Sequence, residues 1–207
     1  STYQKVFFGL KEDNDIYPEK LVNLGEKGYH FTIKINGVEH PFKVEQPGIH
    51  NVYNALAAIW LGLHNNMDID AIKAGLENYE PTKMRMEIHT FDGVKVINDA
   101  YNASPDSIKA ALSVLKDIKG ERKIAVLGNM LELGDFSEEG HHTVGTYVPD
   151  SADMLITVGD MAKWIADGAA SAGMEKQIYI TKSNDEAIEV LKNILNKKDV
   201  VLIKGSR

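Results

Sequence analysis

"VINDAYNASPDSIKAAL", residues 96–112, decides the architecture. An apolar, β-branched run ends at Ile97, a polar turn follows, and apolar residues at helical spacing resume at Ile108. This is a strand-to-helix junction. Ser104 suits the helix N-cap, and Pro105 suits the first helical position, where a missing N–H costs nothing. Asp106 then stands in the first turn, where the helix dipole favours an anion. Helix initiation accounts for these three residues. Asp99, Tyr101 and Asn102 are not cap residues. A strand-end tyrosine beside an acid and an amide can hold a ribose or a base.

Downstream of this junction, short apolar strands alternate with amphipathic helices. "RKIAVLG" (122–128), "DMLITVG" (153–159), "QIYIT" (177–181) and "DVVLIKG" (199–205) read as strands. Helices are expected from about Glu138, over 160–173, and over 183–198 with Ser183 or Asn184 as cap. Continuous apolar strands between helices predict a mainly parallel sheet covered on both faces, a Rossmann-like α/β domain.

Upstream the pattern differs. "GYHFTIKING" and "VEHPFKVEQP" (28–47) alternate apolar and polar residues around Asn36-Gly37, a type I′ hairpin signal. Helices follow over 49–66 and 68–81, the second capped by Asp68. A second hairpin, with Asp92-Gly93 at its turn, joins "MEIHTF" to "VKVIND". The change of pattern near Pro81 predicts a boundary there, with an α+β part over 1–82 and the Rossmann-like domain over 83–207.

The chain has 207 residues, a formal net charge of −7, 43% hydrophobic residues and no cysteine. An acidic balance argues against a general nucleic-acid binder, though one small anion needs only a local patch. Without cysteine there are no disulfides or thiolate metal sites, which suits a reducing cytoplasm. No apolar stretch is long enough to span a bilayer, and no signal peptide is visible. His141 and His142 are adjacent and so point apart on a helix, which favours surface or loop packing over a metal pair. Trp60 and Trp164 read as core. Asn51 and Asn54 share a helical face, and helix capping by Asn51 is the simplest explanation of that pair.

In open α/β sheets, ligands bind at the carboxyl ends of strands. Residues 98–107, "LGNMLELGD" (127–135) and "KGSR" (204–207) are the polar segments there. None is a dinucleotide fingerprint, and G-x-x-x-x-G-K-[ST] does not occur in the chain.

"IHNVYNALAAI", "MRMEI", "VINDAYNASPDSIKAAL", "IAVLGNMLELGDFSEEGHHTVG" and "VLIKGSR" together resemble the Mur ligases, in that order and spacing. The Asp99-Ala-Tyr-Asn-Ala-Ser-Pro turn is of the type found in members that add D-alanyl-D-alanine. The resemblance implies the later half of a central ATPase domain followed by the C-terminal Rossmann-like domain. It implies an ATP- and Mg²⁺-dependent ligase of bacterial peptidoglycan precursor synthesis, joining D-alanyl-D-alanine to UDP-N-acetylmuramoyl-tripeptide through an acyl phosphate. A sister ligase of other amino-acid specificity and a non-catalytic nucleotide- or peptide-binding module are the alternatives.

By position, the resemblance implies nucleotide contacts from Asn51, Asn54, Arg85, Asp99, Tyr101 and Asn102. It implies amine-substrate contacts from Asn129, Glu132, Lys204 and Ser206, with Lys204 as the candidate catalytic cation. The phosphate-binding loop and magnesium ligands precede residue 1 in the family's order. The 207-residue chain is therefore expected to be silent alone. It is expected to self-associate through exposed apolar surface, and the complete enzyme is expected to be a monomer. Truncating the Asp99 side chain is expected to impair nucleotide use far more than stability.

Overall fold

The structure is a computed structural model describing residues 5–174 and 177–206. The chain divides into two compact units, Ser1–Pro81 and Thr82–Arg207.

In the first unit, β1 (Lys20–Asn23), β2 (Tyr29–Ile35) and β3 (Val38–Val44) form an antiparallel sheet in that order. Asn36 and Gly37 both have positive φ, 51° and 83°, as the expected turn requires. Alternation sends Tyr29, Phe31 and Ile33 inward, and Phe31 stacks on its register partner Phe42 at 5.9 Å between ring centroids. The sheet shares a core with α1 (His50–His64) and α2 (Ile69–Glu77) through Val52, Leu56, Ile59 and Ile72. Asp68 caps α2 by accepting the Asp70 N–H at 2.8 Å. The short strand β1 was not legible in the sequence.

The second unit is a six-stranded sheet in the order β4-β5-β9-β6-β7-β8. The strands are β4 (Glu87–Phe91), β5 (Val94–Asn98), β6 (Lys123–Gly128), β7 (Met154–Val158), β8 (Ile178–Thr181) and β9 (Val200–Lys204). Only β4 runs antiparallel, paired to β5 by the hairpin through Asp92 and Gly93. The helices are α3 (Pro105–Asp117), α4 (Ser137–Thr146), α5 (Lys163–Ser171) and α6 (Asn184–Ile194).

Both faces of this sheet are covered, as the sequence pattern predicts. On one face, Ile97, Ala125, Leu127, Leu155 and Leu202 meet residues of α3, α4 and α5. On the other, Ile124, Val126, Ile156 and Val201 meet Ala187, Val190 and Leu191 of α6. The period of two assigns alternate residues of one strand to the two layers. The helices α4 and α5 cross closely because Gly145 and Gly168 face each other's backbones; a Cβ on Gly145 would stand 2.1 Å from the Ile165 carbonyl oxygen.

The tryptophans differ from expectation. Trp60 and Trp164 are half-buried, not core. Each rests against a histidine, Trp60 on His64 and Trp164 edge-on to His141, so its other side stays at the surface.

At the amino end of the sheet, Arg122 grips Asp199 through Nε to Oδ1 at 2.9 Å and a terminal nitrogen to Oδ2 at 2.5 Å. The same guanidinium donates to the Ile194 carbonyl at 2.6 Å, and the Asn196 N–H donates to Asp199 at 2.8 Å. Burial alone would raise the Asp199 pKa. The Arg122 hydrogen bonds, the Asn196 N–H and the Arg122 charge outweigh it and hold the carboxyl below its usual range.

Candidate functional site

The position of β9 builds the site. The chain passes from β5 through α3 to β6, and its last strand inserts between those two. Residues 99–104, 128–132 and 204–206 therefore leave the carboxyl ends of three adjacent strands. Gly128 and Gly205 let the second and third segments lie side by side; a Cβ on Gly205 would stand 3.3 Å from the Gly128 Cα.

Asp99 and Lys204 sit at the centre. The Asp99 N–H donates to the Ile203 carbonyl at 2.9 Å, continuing the ladder one residue past β5. Its carboxylate receives the Lys204 Nζ on Oδ2 at 2.5 Å and the Met86 N–H on Oδ1 at 3.2 Å. The ammonium donates also to the Asn102 carbonyl at 2.9 Å. Asp99 is 8% exposed and Lys204 3%. The sequence reading gave Lys204 to the substrate and Asp99 to the nucleotide, and the structure joins them in one buried ion pair. Truncating Asp99 would strand a buried ammonium, so a stability cost is expected beside the effect on nucleotide use.

Around this pair, Ser206 ties the segments together. Its Oγ donates to the Asn102 Oδ1 at 3.0 Å and accepts from the Leu131 N–H at 3.2 Å, and its N–H donates to the Asn129 carbonyl at 3.0 Å. Asn129 Oδ1 in turn accepts the Ala162 N–H at 2.9 Å. Ser104 caps α3 in a reciprocal box with Ser107, and Pro105 takes the first helical position as expected.

Arg85 and Tyr101 form the exposed edge of the site. The guanidinium lies 4.4 Å from the Tyr101 ring centroid. A guanidinium over an aromatic ring contacts it through the charge and keeps N–H donors suited to a phosphate or carboxylate. Met84 and Met86 on either side of Arg85 have φ of 61° and 52°, and Glu132 has φ of 65°. Left-handed backbone at non-glycine residues costs about 1–3 kcal/mol each and is commonest where a site demands it.

In the first unit, Asn51 and Asn54 share one face of α1, with Asn54 Nδ2 donating to Asn51 Oδ1 at 3.4 Å. Asn51 is not the N-cap. Ile49 holds that position, and the Asn51 side chain donates back to the Pro47 carbonyl at 2.8 Å. Both asparagines border a cavity of about 630 Å³ whose walls are mostly apolar, including Ala58, Leu61, Met67 and Tyr79.

Three contributors escaped the sequence reading: the Met86 N–H, the Ala162 N–H and His141. Of the two roles expected for His141, surface or loop packing, the structure has the second: it is fully buried against the loop that follows β6. Its Nε2 accepts the Met130 N–H at 2.9 Å and its Nδ1 contacts the Ser137 carbonyl at 2.6 Å. Burial pushes the imidazole pKa down, with the Ser137 carbonyl opposing. His142 is exposed. Among the described residues no group of three or more His, Cys, Asp or Glu could hold a metal ion. No described helix is long and apolar enough to cross a membrane.

Comparison with known proteins matches residues 84–207 to the family described as Mur ligase, glutamate ligase domain, and residues 1–62 to the Mur ligase middle domain. A UDP-N-acetylmuramoyl-tripeptide–D-alanyl-D-alanine ligase of Bacillus subtilis (strain 168) is 38% identical over 203 residues, covering 97% of this chain and 44% of the relative. A UDP-N-acetylmuramate–L-alanine ligase of Persephonella marina is 32% identical over 209 residues, covering 96% and 44%. Among solved structures, MurF from Acinetobacter baumannii superposes with a TM-score of 0.85 at 28% identity, over 98% of this chain and 44% of that one. The chain thus spans less than half the length of these relatives.

Proposed function

Because the chain belongs to the Mur ligases, we propose that the whole protein is an ATP-dependent ligase joining D-alanyl-D-alanine to UDP-N-acetylmuramoyl-tripeptide in the cytoplasm. The observation that carries this reading is the D-A-Y-N-A-S-P turn, tied through Asn102 and Ser206 to the loop of Asn129 and Glu132. The 38% identity to a ligase named for this reaction supports it. A sister specificity is the second reading, because an L-alanine-adding relative stands at 32%.

In this reaction the tripeptide carboxylate takes the γ-phosphoryl group of ATP, forming an acyl phosphate and ADP. The amine nitrogen of D-alanyl-D-alanine attacks the acyl carbon and loses a proton. The acyl C–O bond to phosphate breaks, leaving a peptide bond and inorganic phosphate. Phosphorylation supplies the leaving group a carboxylate lacks, and excluding water protects the acyl phosphate.

Asn129, Glu132 and Ser206 are assigned to the amine substrate. Arg85, Asp99, Tyr101 and Asn102 are assigned to the nucleotide, together with Asn51 and Asn54 of the first unit. Lys204 takes the part of a positioning residue: its ammonium holds the Asp99 carboxylate and Asn102 carbonyl, rather than a substrate atom. The Mg²⁺ that the family employs neutralises phosphate charge when bound. The described residues offer it no cluster of ligands.

The test is phosphate release with ATP, Mg²⁺, UDP-N-acetylmuramoyl-tripeptide and D-alanyl-D-alanine, run on the complete gene product beside this chain. Turnover by the complete protein alone is expected, since the 207 residues contain no G-x-x-x-x-G-K-[ST] cradle. Turnover with L-alanine and UDP-N-acetylmuramate instead would favour the sister reading. Turnover by this chain alone would overturn the missing-cradle argument.

A further inference from the structure

We propose that His141 is a positioning residue for the amine-substrate loop: as the neutral Nδ1–H tautomer, it holds the Met130 amide and so shapes Asn129 to Glu132. This inference rests on the reading that residues 129–132 receive the amine substrate.

The tautomer follows from the partners. An amide N–H can only donate, so Nε2 must carry the lone pair facing Met130 at 2.9 Å. A carbonyl can only accept, so Nδ1 must carry the proton facing Ser137 at 2.6 Å. His141 and Met130 are both fully buried, so no bulk water can replace either partner. Protonating Nε2 would set one N–H against another and break the contact.

The loop depends on such pins. Asn129 is held by Ser206 and Ala162, and Leu131 by Ser206. The Met130 N–H is tied to His141, on α4. Glu132 lies two residues on, at a φ of 65° that its own backbone does not favour. Releasing Met130 frees the loop to relax that residue, and the carboxylate then leaves the position set for it.

The surroundings keep the ring neutral. Ser137 Oγ lies 3.5 Å from Nδ1, with the Met161 sulfur 3.3 Å beyond it. Trp164 covers the ring edge at 5.9 Å, and the Lys163 ammonium stands 5.6 Å from that indole's centroid. On the same helix Glu138, Glu139 and His142 are exposed. Burial lowers the imidazole pKa, the Ser137 carbonyl raises it less, and no charged group contributes to the shift.

The experiment compares His141→Leu and His141→Gln in the complete ligase and in this chain. Glutamine offers an acceptor oxygen near the place of Nε2 and does not titrate. His141→Leu is expected to raise the KM for D-alanyl-D-alanine about tenfold or more, the scale of one unsatisfied buried donor. The KM for ATP is expected to stay within about twofold. His141→Gln is expected to restore most of the amine affinity and to lack the fall in amine affinity expected of the wild type as pH drops through the lowered pKa of its buried imidazole. In this chain, hydrogen exchange at the Met130 amide should accelerate in His141→Leu and not in His141→Gln, while β7 amides keep their protection. Equal Met130 exchange in wild type and His141→Leu would overturn the proposal. So would a loss of activity that tracks the folded fraction with both KM values rising together. Exchange needs no turnover: a wild type inactive with D-alanyl-D-alanine sinks the reading of the site, while exchange alone still decides whether His141 holds the loop.

Discussion

Replacing Lys204 by methionine should destabilise the second unit by about 3–5 kcal/mol. The side chain is 3% exposed, and its nitrogen meets the Asp99 carboxylate, whose side chain is 11% exposed. Methionine keeps the aliphatic volume, so the loss is electrostatic: an unpaired carboxylate remains in a site that water reaches poorly. Removing one partner of a buried pair costs about 3–5 kcal/mol for this reason. At about 4 °C per kcal/mol for a unit of this size, the melting temperature should fall by about 12–20 °C. Trp60 lies in the first unit and Trp164 in the second, so a Trp60→Phe background lets indole fluorescence follow the second unit alone through urea and thermal unfolding. The double variant Asp99→Leu with Lys204→Met should regain most of the loss, since both charges leave together. A Lys204→Met cost below about 1 kcal/mol would refute the reasoning. It would mean that the ammonium is solvated and free to meet a ligand, the role first read from the sequence.

Two further changes probe the frame that carries the site. Asp199→Asn should cost about 1.5–3 kcal/mol, the range for charge-assisted hydrogen bonds, because Arg122 is one-third exposed and keeps some hydration. The folded pKa of Asp199 lies below the unfolded value of about 3.9, so its stabilisation is present above that pH and is lost as pH falls through the folded value. Urea titrations of wild type and Asp199→Asn below about pH 4 should therefore converge, and parallel curves would count against the linkage. Gly145→Ala should cost about 3 kcal/mol or more, since its Cβ would meet the Ile165 carbonyl oxygen at 2.1 Å and part α4 from α5. Urea unfolding within about 1 kcal/mol of wild type would show that the helices separate easily.

Much of the architecture was legible because it follows from local rules. The Asn36-Gly37 and Asp92-Gly93 turns, the Ser104 and Ser183 caps and the continuous apolar strands are decided by residues within a few positions of each other. The candidate residues of the second unit were also legible, because polar groups at strand ends stand out against apolar runs. Their roles were less so. Lys204 reads as a free cation until Asp99, 105 residues away, is brought against it. His141 reads as a surface or loop-packing residue because its neighbours on α4 are polar, and its acceptor role comes only from Met130 in a different segment. Asn51 reads as a cap, but the helix begins two residues earlier than that requires.

By itself the sequence determined the element types, the change of pattern near Pro81 and the turn chemistry, because helix and strand periods, caps and positive-φ turns are short-range preferences. Only the tertiary structure decided which polar groups are partners. Inserting β9 between β5 and β6 places Lys204 against Asp99 and Ser206 against Asn102 and Leu131. Strand order is a long-range choice made by packing of both sheet faces, and burial then turns a lysine that could have met substrate into the counter-ion of the turn.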